Sequence, residues 1–420
     1  MQMVQVVFLT VLVFFVLVSI HEFGHFYFAR RAGVLVREFA IGFGPKLFSI
    51  KRGETRYTLR LLPVGGFVRM AGEDPEVVEV QPGQTVGVRV KDGEVVRIYL
   101  DRLDERTNIL RGEVKSIDLE RDLHLTLDVD GDIQRYPVHR QALLLSKGRD
   151  TQIAPIDRQF GSATAGKKAM AIFAGPMMNF ILAFVLFAVY IQLAGVTVEP
   201  VTKTFVNKVN AGSPAEQGGL HKGDLIVSIN GDPIAGDSAK LVQKIEASAG
   251  KPMEWIVERG GKQVPLTITP DDKTGKAGFY PTPEMRRAGA GETLKFAGNA
   301  MVDSTKTIME GFRKLIFGEF KIDDLGGPVR TAQVTGEIAQ QGITQLTMWG
   351  AILSLYLGIF NLLPIPALDG SRLIFIGIEA IRGKPVDPNR ESLVHFIGFA
   401  MLMLLMVVVT YNDILRLVKG

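Results

Sequence analysis

The feature that most constrains this chain lies near its N-terminus. Met3 to Ile20 (MVQVVFLTVLVFFVLVSI) is uncharged and apolar, runs straight into His21-Glu22-Phe23-Gly24-His25, and continues as Phe26-Tyr27-Phe28. A run of about 20 apolar residues is long enough to cross a bilayer as a helix. Positions i and i+4 of a helix share a face, so His21 and His25 present two imidazoles to one point, with Glu22 beside them. Ionisable groups are costly at that depth unless they face a protein interior, so three of them together point to function.

The H-E-x-x-H spacing is that of zinc hydrolases: the histidines hold the ion, and the glutamate takes a proton from water. A catalytic zinc needs a third protein ligand and an open position. Asn361-Leu362-Leu363-Pro364-Ile365-Pro366-Ala367-Leu368-Asp369-Gly370 supplies the candidate, Asp369, at the end of another apolar stretch. Two prolines before it break the helix and fix a turn that aims the carboxylate. His395 is a rival ligand and reads as interfacial.

Of the 420 residues, 47% are hydrophobic, and none is cysteine, which excludes a disulfide framework and any cysteine ligand or nucleophile. A net charge of +4 gives no reason to expect a nucleic-acid partner. Spans are expected at roughly 3–28, 170–194, 346–366 and 393–411, and the first lacks the marks of a cleaved signal peptide. Arg30, Arg31, Arg37, Lys46, Lys51, Arg52, Arg56, Arg60 and Arg69 follow the first span against only Glu38 and Glu54. By the positive-inside rule that loop is cytoplasmic and the 195–345 region is outside.

The expected organisation is a polytopic α-helical membrane protein with four transmembrane helices, a membrane-associated β-hairpin element, a cytoplasmic β-rich insertion and one extracytoplasmic PDZ domain. In order, 1–30 is the first span and 31–72 the β element, whose turn falls at Lys51-Arg52-Gly53-Glu54. Residues 73–166 form the insertion, to which no chemistry is assigned, and 167–195 the second span. Its Asn179 bonds another helix or an unwound substrate. The soluble module occupies 196–275, where the stretch from Ser213 to Gly231 resembles a bacterial PDZ domain. Next come 276–344 as a linker with an interfacial amphipathic helix (STKTIMEGFRKLIFGEF), broken by Gly326-Gly327-Pro328. The remainder divides into 345–370 as third span, 371–392 as cytoplasmic helix and loop, and 393–420 as fourth span and tail.

HEFGH on a first span paired with NLLPIPALDG on a third resembles the site-2 protease family of intramembrane zinc metalloproteases. REFAIGFGPKLFS, LLPVGGFVRMAGEDPE and a single PDZ module where some members carry two are similar to its Gram-positive bacterial members. The resemblance implies Zn2+ held by His21, His25 and Asp369, with Glu22 as catalytic base. It also implies substrate-binding roles for Asn361, Pro364, Pro366, Asn179 and the Gly65-Gly66 pair. The substrates it implies are single-span membrane proteins, anti-sigma factors and signal-peptide remnants, cut in regulated intramembrane proteolysis in the bacterial cell membrane. The PDZ module would add a peptide ligand. The competing expectation is a non-proteolytic membrane scaffold with a structural zinc.

Overall fold

The structure, a computed structural model, describes residues 2–73, 80–318 and 326–419. Most of the GEDPE stretch and the end of the amphipathic stretch, Glu319-Phe320, lie outside the described residues. The chain divides into two units, Met1–Leu186 with Ala300–Gly420, and Phe187–Asn299.

In the first unit, α1 (Gln2–Arg31) carries the opening apolar run. Among the described residues, four helices are long and apolar enough to cross a membrane, at Met3–Arg31, Ala165–Ala194, Ile343–Asn361 and Arg390–Arg416. The third is shorter than expected. Pro364 disfavours helical backbone at Leu363, so the helix stops at Asn361 and the Pro-rich segment is a turn.

After α1 come β1 (Val36–Arg52) and β2 (Thr55–Met70), joined through Gly53 at φ +62°. The pair is more folded than a simple hairpin. Phe39 pairs with Val68 on one side and Tyr57 on the other, and Ser49 pairs with Thr58. The first half of β1 is therefore central, and Gly66–Met70 form an outer strand. Its base is packed, with Val36, Ala40 and Met70 buried, whereas Phe43, Leu47, Leu61 and Leu62 toward the other end, and Phe48 and Ile50 along the edge strand, are exposed.

The insertion is a six-stranded sheet: β3 (Thr85–Lys91), β4 (Glu94–Tyr99), β5 (Leu110–Asp118), β6 (His124–Val129), β7 (Asp132–Ser146) and β8 (Arg149–Gln152). The strand order is β4-β3-β5-β6-β7-β8, and β4 also pairs in parallel with β7, so five strands close on themselves. Alternate residues such as Val86 and Val88, or Leu125 and Leu127, fill its interior.

The chain returns through α2 (Ala165–Ala194), β9 (Val196–Thr197) and β10 (Thr204–Val209). In the second unit α3 (Pro214–Gln217), β11 (Leu225–Ile229), β12 (Asp232–Pro233) and α4 (Ser238–Ala247) precede β13 (Met253–Arg259), β14 (Lys262–Ile268), β15 (Phe279–Pro283) and β16 (Met285–Arg286). The sheet order is β14-β13-β11-β10-β15, around a core of Trp255, Ile226, Ile229 and Leu241. The expected sequence of short helix, Gly-Asp turn, strand and Asn-Gly turn is present. The module runs past residue 275, because β15 pairs with β10.

The amphipathic stretch belongs to a longer helix, α5 (Ala290–Ile316). Gly326-Gly327-Pro328 does more than break it. Pro328 opens an unexpected helix, α6 (Pro328–Gln341), where its missing N–H costs nothing. Asp413 supplies the cap, accepting from the backbone N–H of Gly327 and Arg330 at 3.3 and 3.0 Å. The chain ends with α7 (Ile343–Asn361), α8 (Asp369–Arg382) and α9 (Pro388–Lys419), which carries Asp413.

Candidate metal centre

The centre forms where α1, α2 and the N-terminus of α8 meet. His21, Glu22 and His25 are each less than a tenth exposed. Their approach depends on glycine. A Cβ at Gly24 would sit 2.2 Å from the Ala174 carbonyl oxygen, and one at Gly175 would sit 2.2 Å from His25 Nε2. Two glycines thus let α1 and α2 touch at the level of the histidines.

Asp369 comes from the other side. It is the first residue of α8, preceded by Leu368 as N-cap with no side-chain cap. Its Oδ2 accepts no hydrogen bond although it is buried. It lies 3.3 Å from His21 Nε2 and 3.4 Å from His25 Nε2, which are themselves 3.2 Å apart. His25 Nδ1–H donates to the carbonyl oxygen of Ala171 at 2.9 Å, so in the neutral ring Nε2 keeps its lone pair free. Lone pairs facing each other at this separation repel unless a cation lies between them. Ligand atoms on a tetrahedral zinc with bonds of about 2.0–2.1 Å stand about 3.3 Å apart. The three donors therefore fit that ion in type and in spacing.

Asn179 is fully buried, with its amide nitrogen 3.1 Å from His21 Nδ1 and its Oδ1 without a partner. With the amide rotated, Oδ1 accepts from His21 Nδ1–H, which frees Nε2 for a metal.

A cavity of about 500 Å³ opens on this centre. It is lined by the two histidines, Glu22 and Asp369, by Gly66 to Met70 of the outer β2 strand, and by Glu73, Asn361, Ala367 and Arg372. Gly66 leans on the Glu22 side chain, where a Cβ would come within 2.8 Å of Cγ. Of the other residues singled out in the sequence, Asn361 lines the cavity while its amide donates to Leu357 O at 3.0 Å. Gly65, at φ +79°, packs on the Phe43 ring. Neither Gly65 nor Pro364 nor Pro366 is among the lining residues. The prolines shape the turn, and Pro366 packs against Gly398 of α9.

Three participants were not visible as such in the sequence. His395 is not a rival ligand: its Nδ1 accepts from the Ala367 N–H at 3.2 Å and braces that residue at φ +76°. Arg372 pairs with Glu73 across the cavity and stacks on Phe160. Lys168, buried at the start of α2, pairs with Glu379 of α8 at 2.8 Å. Such contacts join residues far apart in the chain, and no local pattern announces them.

Known proteins similar to this chain point to the same class of chemistry. The model of Peptidase family M50 matches residues 9–405. The chain is 46% identical to a protein named zinc metalloprotease RasP from Geobacillus kaustophilus, over 96% of each chain. It is 43% identical to the regulator of sigma-W protease RasP of Bacillus subtilis, over 97% of each. The identity to the probable protease eep of Enterococcus faecalis is 40%, over 97% of this chain and 98% of that one. Paired motifs, converging donors and full-length similarity lead to one conclusion: this chain belongs to peptidase family M50 and is a zinc metalloprotease.

Proposed function

We propose that His21, His25 and Asp369 hold the zinc, that Glu22 is the catalytic base, and that the chain cuts single-span membrane proteins within or near the bilayer. The observation that carries this reading is the convergence of three candidate metal donors at 3.2–3.4 Å, with Glu22 lining the same cavity. When bound, zinc supplies a Lewis acid that polarises a carbonyl and acidifies water.

The chain's own residues do the rest. Glu22 takes a proton from the attacking water and returns it to the leaving amine. Asn179 and Ala171 fix the two imidazoles through their Nδ1 atoms. Gly66 to Met70 offer an outer strand edge along the cavity, onto which an extended substrate adds by backbone hydrogen bonds. A helical substrate hides its carbonyls, so it must unwind to pair there. Asn361 lies on the cavity wall and contacts the bound segment, and Pro364 and Pro366 set the turn beside it.

The basic residues that follow α1 support a centre toward the cytoplasm, with the insertion on that side and the PDZ module outside. The name of the B. subtilis relative, regulator of sigma-W protease, supports anti-sigma factors as one substrate class. Signal-peptide remnants are the other. The PDZ module takes a peptide end or gates access.

The test is cleavage of a truncated single-span substrate by purified protein in detergent, wild type against Glu22→Gln, with bound zinc measured in both. Loss of cleavage with zinc retained is expected. Equal cleavage by both proteins would remove Glu22 from the chemistry.

A further inference from the structure

A second pocket, of about 290 Å³, lies at the end of α1 away from the metal cavity's lining. Arg30, Arg52 and Arg158 line it with Glu54 and the backbone turns around Gly33 and Gly53. The arginines are not equivalent. Arg158 is committed to Glu54, to which it donates twice, at 2.6 and 2.8 Å. Elsewhere in the β element Lys51 and Arg56 pair with Asp150, and Arg60 and Arg69 with Glu38, whereas Lys46 is an exposed basic residue outside this pocket. Among the described residues, Arg30 and Arg52 have no carboxylate at ion-pair distance, and both face this concavity. Arg30 is also held in place, its guanidinium 5.4 Å from the centroid of the core ring Phe26.

We propose that this pocket binds a phosphate-bearing anion through Arg30 and Arg52, and that the anion is the headgroup of an acidic phospholipid. Guanidinium forks match phosphate oxygens in shape and charge. Arg30 lies in the last turn of a membrane-spanning helix, at the depth where headgroups sit. Basic pockets at that level are suited to anionic lipids. A lipid held there bridges the end of α1, which carries the H-E-x-x-H motif, to the turn between β1 and β2, which lead to the cavity wall.

The experiment is a thermal-shift titration of the purified full chain in neutral detergent. The probes are short-chain phosphatidylglycerol, phosphatidylcholine of the same chain length, and inorganic phosphate. The proteins are wild type, Arg52→Gln, Arg30→Gln with Arg52→Gln, and Lys46→Gln as a basic position outside the pocket. Phosphatidylglycerol is expected to stabilise wild type and Lys46→Gln alike, and phosphatidylcholine neither. The double variant should bind phosphatidylglycerol roughly thirtyfold more weakly, and Arg52→Gln should fall between. Inorganic phosphate matching the lipid at equal concentration would support the phosphate site and overturn the lipid as its source. An equal response in the double variant, an equal loss in Lys46→Gln, or no response to either phosphate probe would overturn the site.

Discussion

Asp224 is a buried aspartate of one unit and Asp369 a largely covered aspartate of the other, and their carboxylates are surrounded in opposite ways. Asp224, in the second unit, is 1% exposed and saturated with donors. It accepts from Arg259 Nε and Nη2 at 2.7 Å each and from the His221 N–H at 2.8 Å. Asp369 has two histidine nitrogens at 3.3 and 3.4 Å and no donor on Oδ2. A buried carboxylate whose lone pairs are filled by fixed donors holds a fold together. One whose lone pair faces other lone pairs is suited to a cation, the role proposed for Asp369. Asp413, which caps α6, falls with Asp224.

That contrast breaks most readily at the metal centre. Asp369→Asn should abolish cleavage and lower zinc content, while leaving the melting temperature of the metal-free protein unchanged or higher, because it removes a repulsive buried charge. Metal analysis and calorimetry on the same preparation check both halves. Gly175→Ala should act almost as strongly, since its methyl group would overlap His25 Nε2. Zinc retained at wild-type levels in that variant would contradict the close helix crossing.

At the saturated aspartate the expected pattern is reversed. Asp224→Asn should cost about 2 kcal/mol of the module's stability and leave zinc content untouched. Proteolytic resistance of the module reads that loss. His395→Leu should weaken zinc binding about 10-fold or more, and His395→Asn, whose amide oxygen can still accept from Ala367 N–H, should recover most of it. Equal effects of the two substitutions would make His395 a packing residue only.

The smallest effect is expected at Glu54. Its hydrogen bonds from Arg158, opposed by burial and aided by Gln152, hold its carboxyl below the usual carboxylate range. A depressed native pKa stabilises the fold above the unfolded value, near 4.3, and that contribution disappears as pH falls through the native pKa. Glu54→Gln should therefore destabilise the base of the β element by up to about 1 kcal/mol at pH 7, with the difference from wild type vanishing in acid. Hydrogen exchange across β1 at both pH values measures it.

The half of the molecule that carries chemistry was legible in the sequence because its signals are local: i,i+4 histidines, long apolar runs and prolines before an aspartate. The β element was legible as strands. Its fold-back, with Phe39 between Val68 and Tyr57, was not, because β register across several turns is set by tertiary packing. Helix α6 was missed because Gly-Gly-Pro is as good a helix start as a helix stop, and its cap, Asp413, lies more than 80 residues downstream. The pairing of β4 with β7, which closes the insertion, is equally non-local. The contact of His395 with Ala367 was hidden for the same reason, since Ala367 lies in a turn 28 residues upstream.

The central claim is that His21, His25 and Asp369 converge because they share one ion and leave it an open position. X-ray absorption at the zinc edge on the purified wild-type chain tests this directly. The account predicts one zinc per chain with two imidazole nitrogens and one carboxylate, the remaining position taken by a non-protein oxygen, and loss of this signal in His25→Ala. A site closed by a fourth protein ligand, or an unchanged spectrum in His25→Ala, would contradict it.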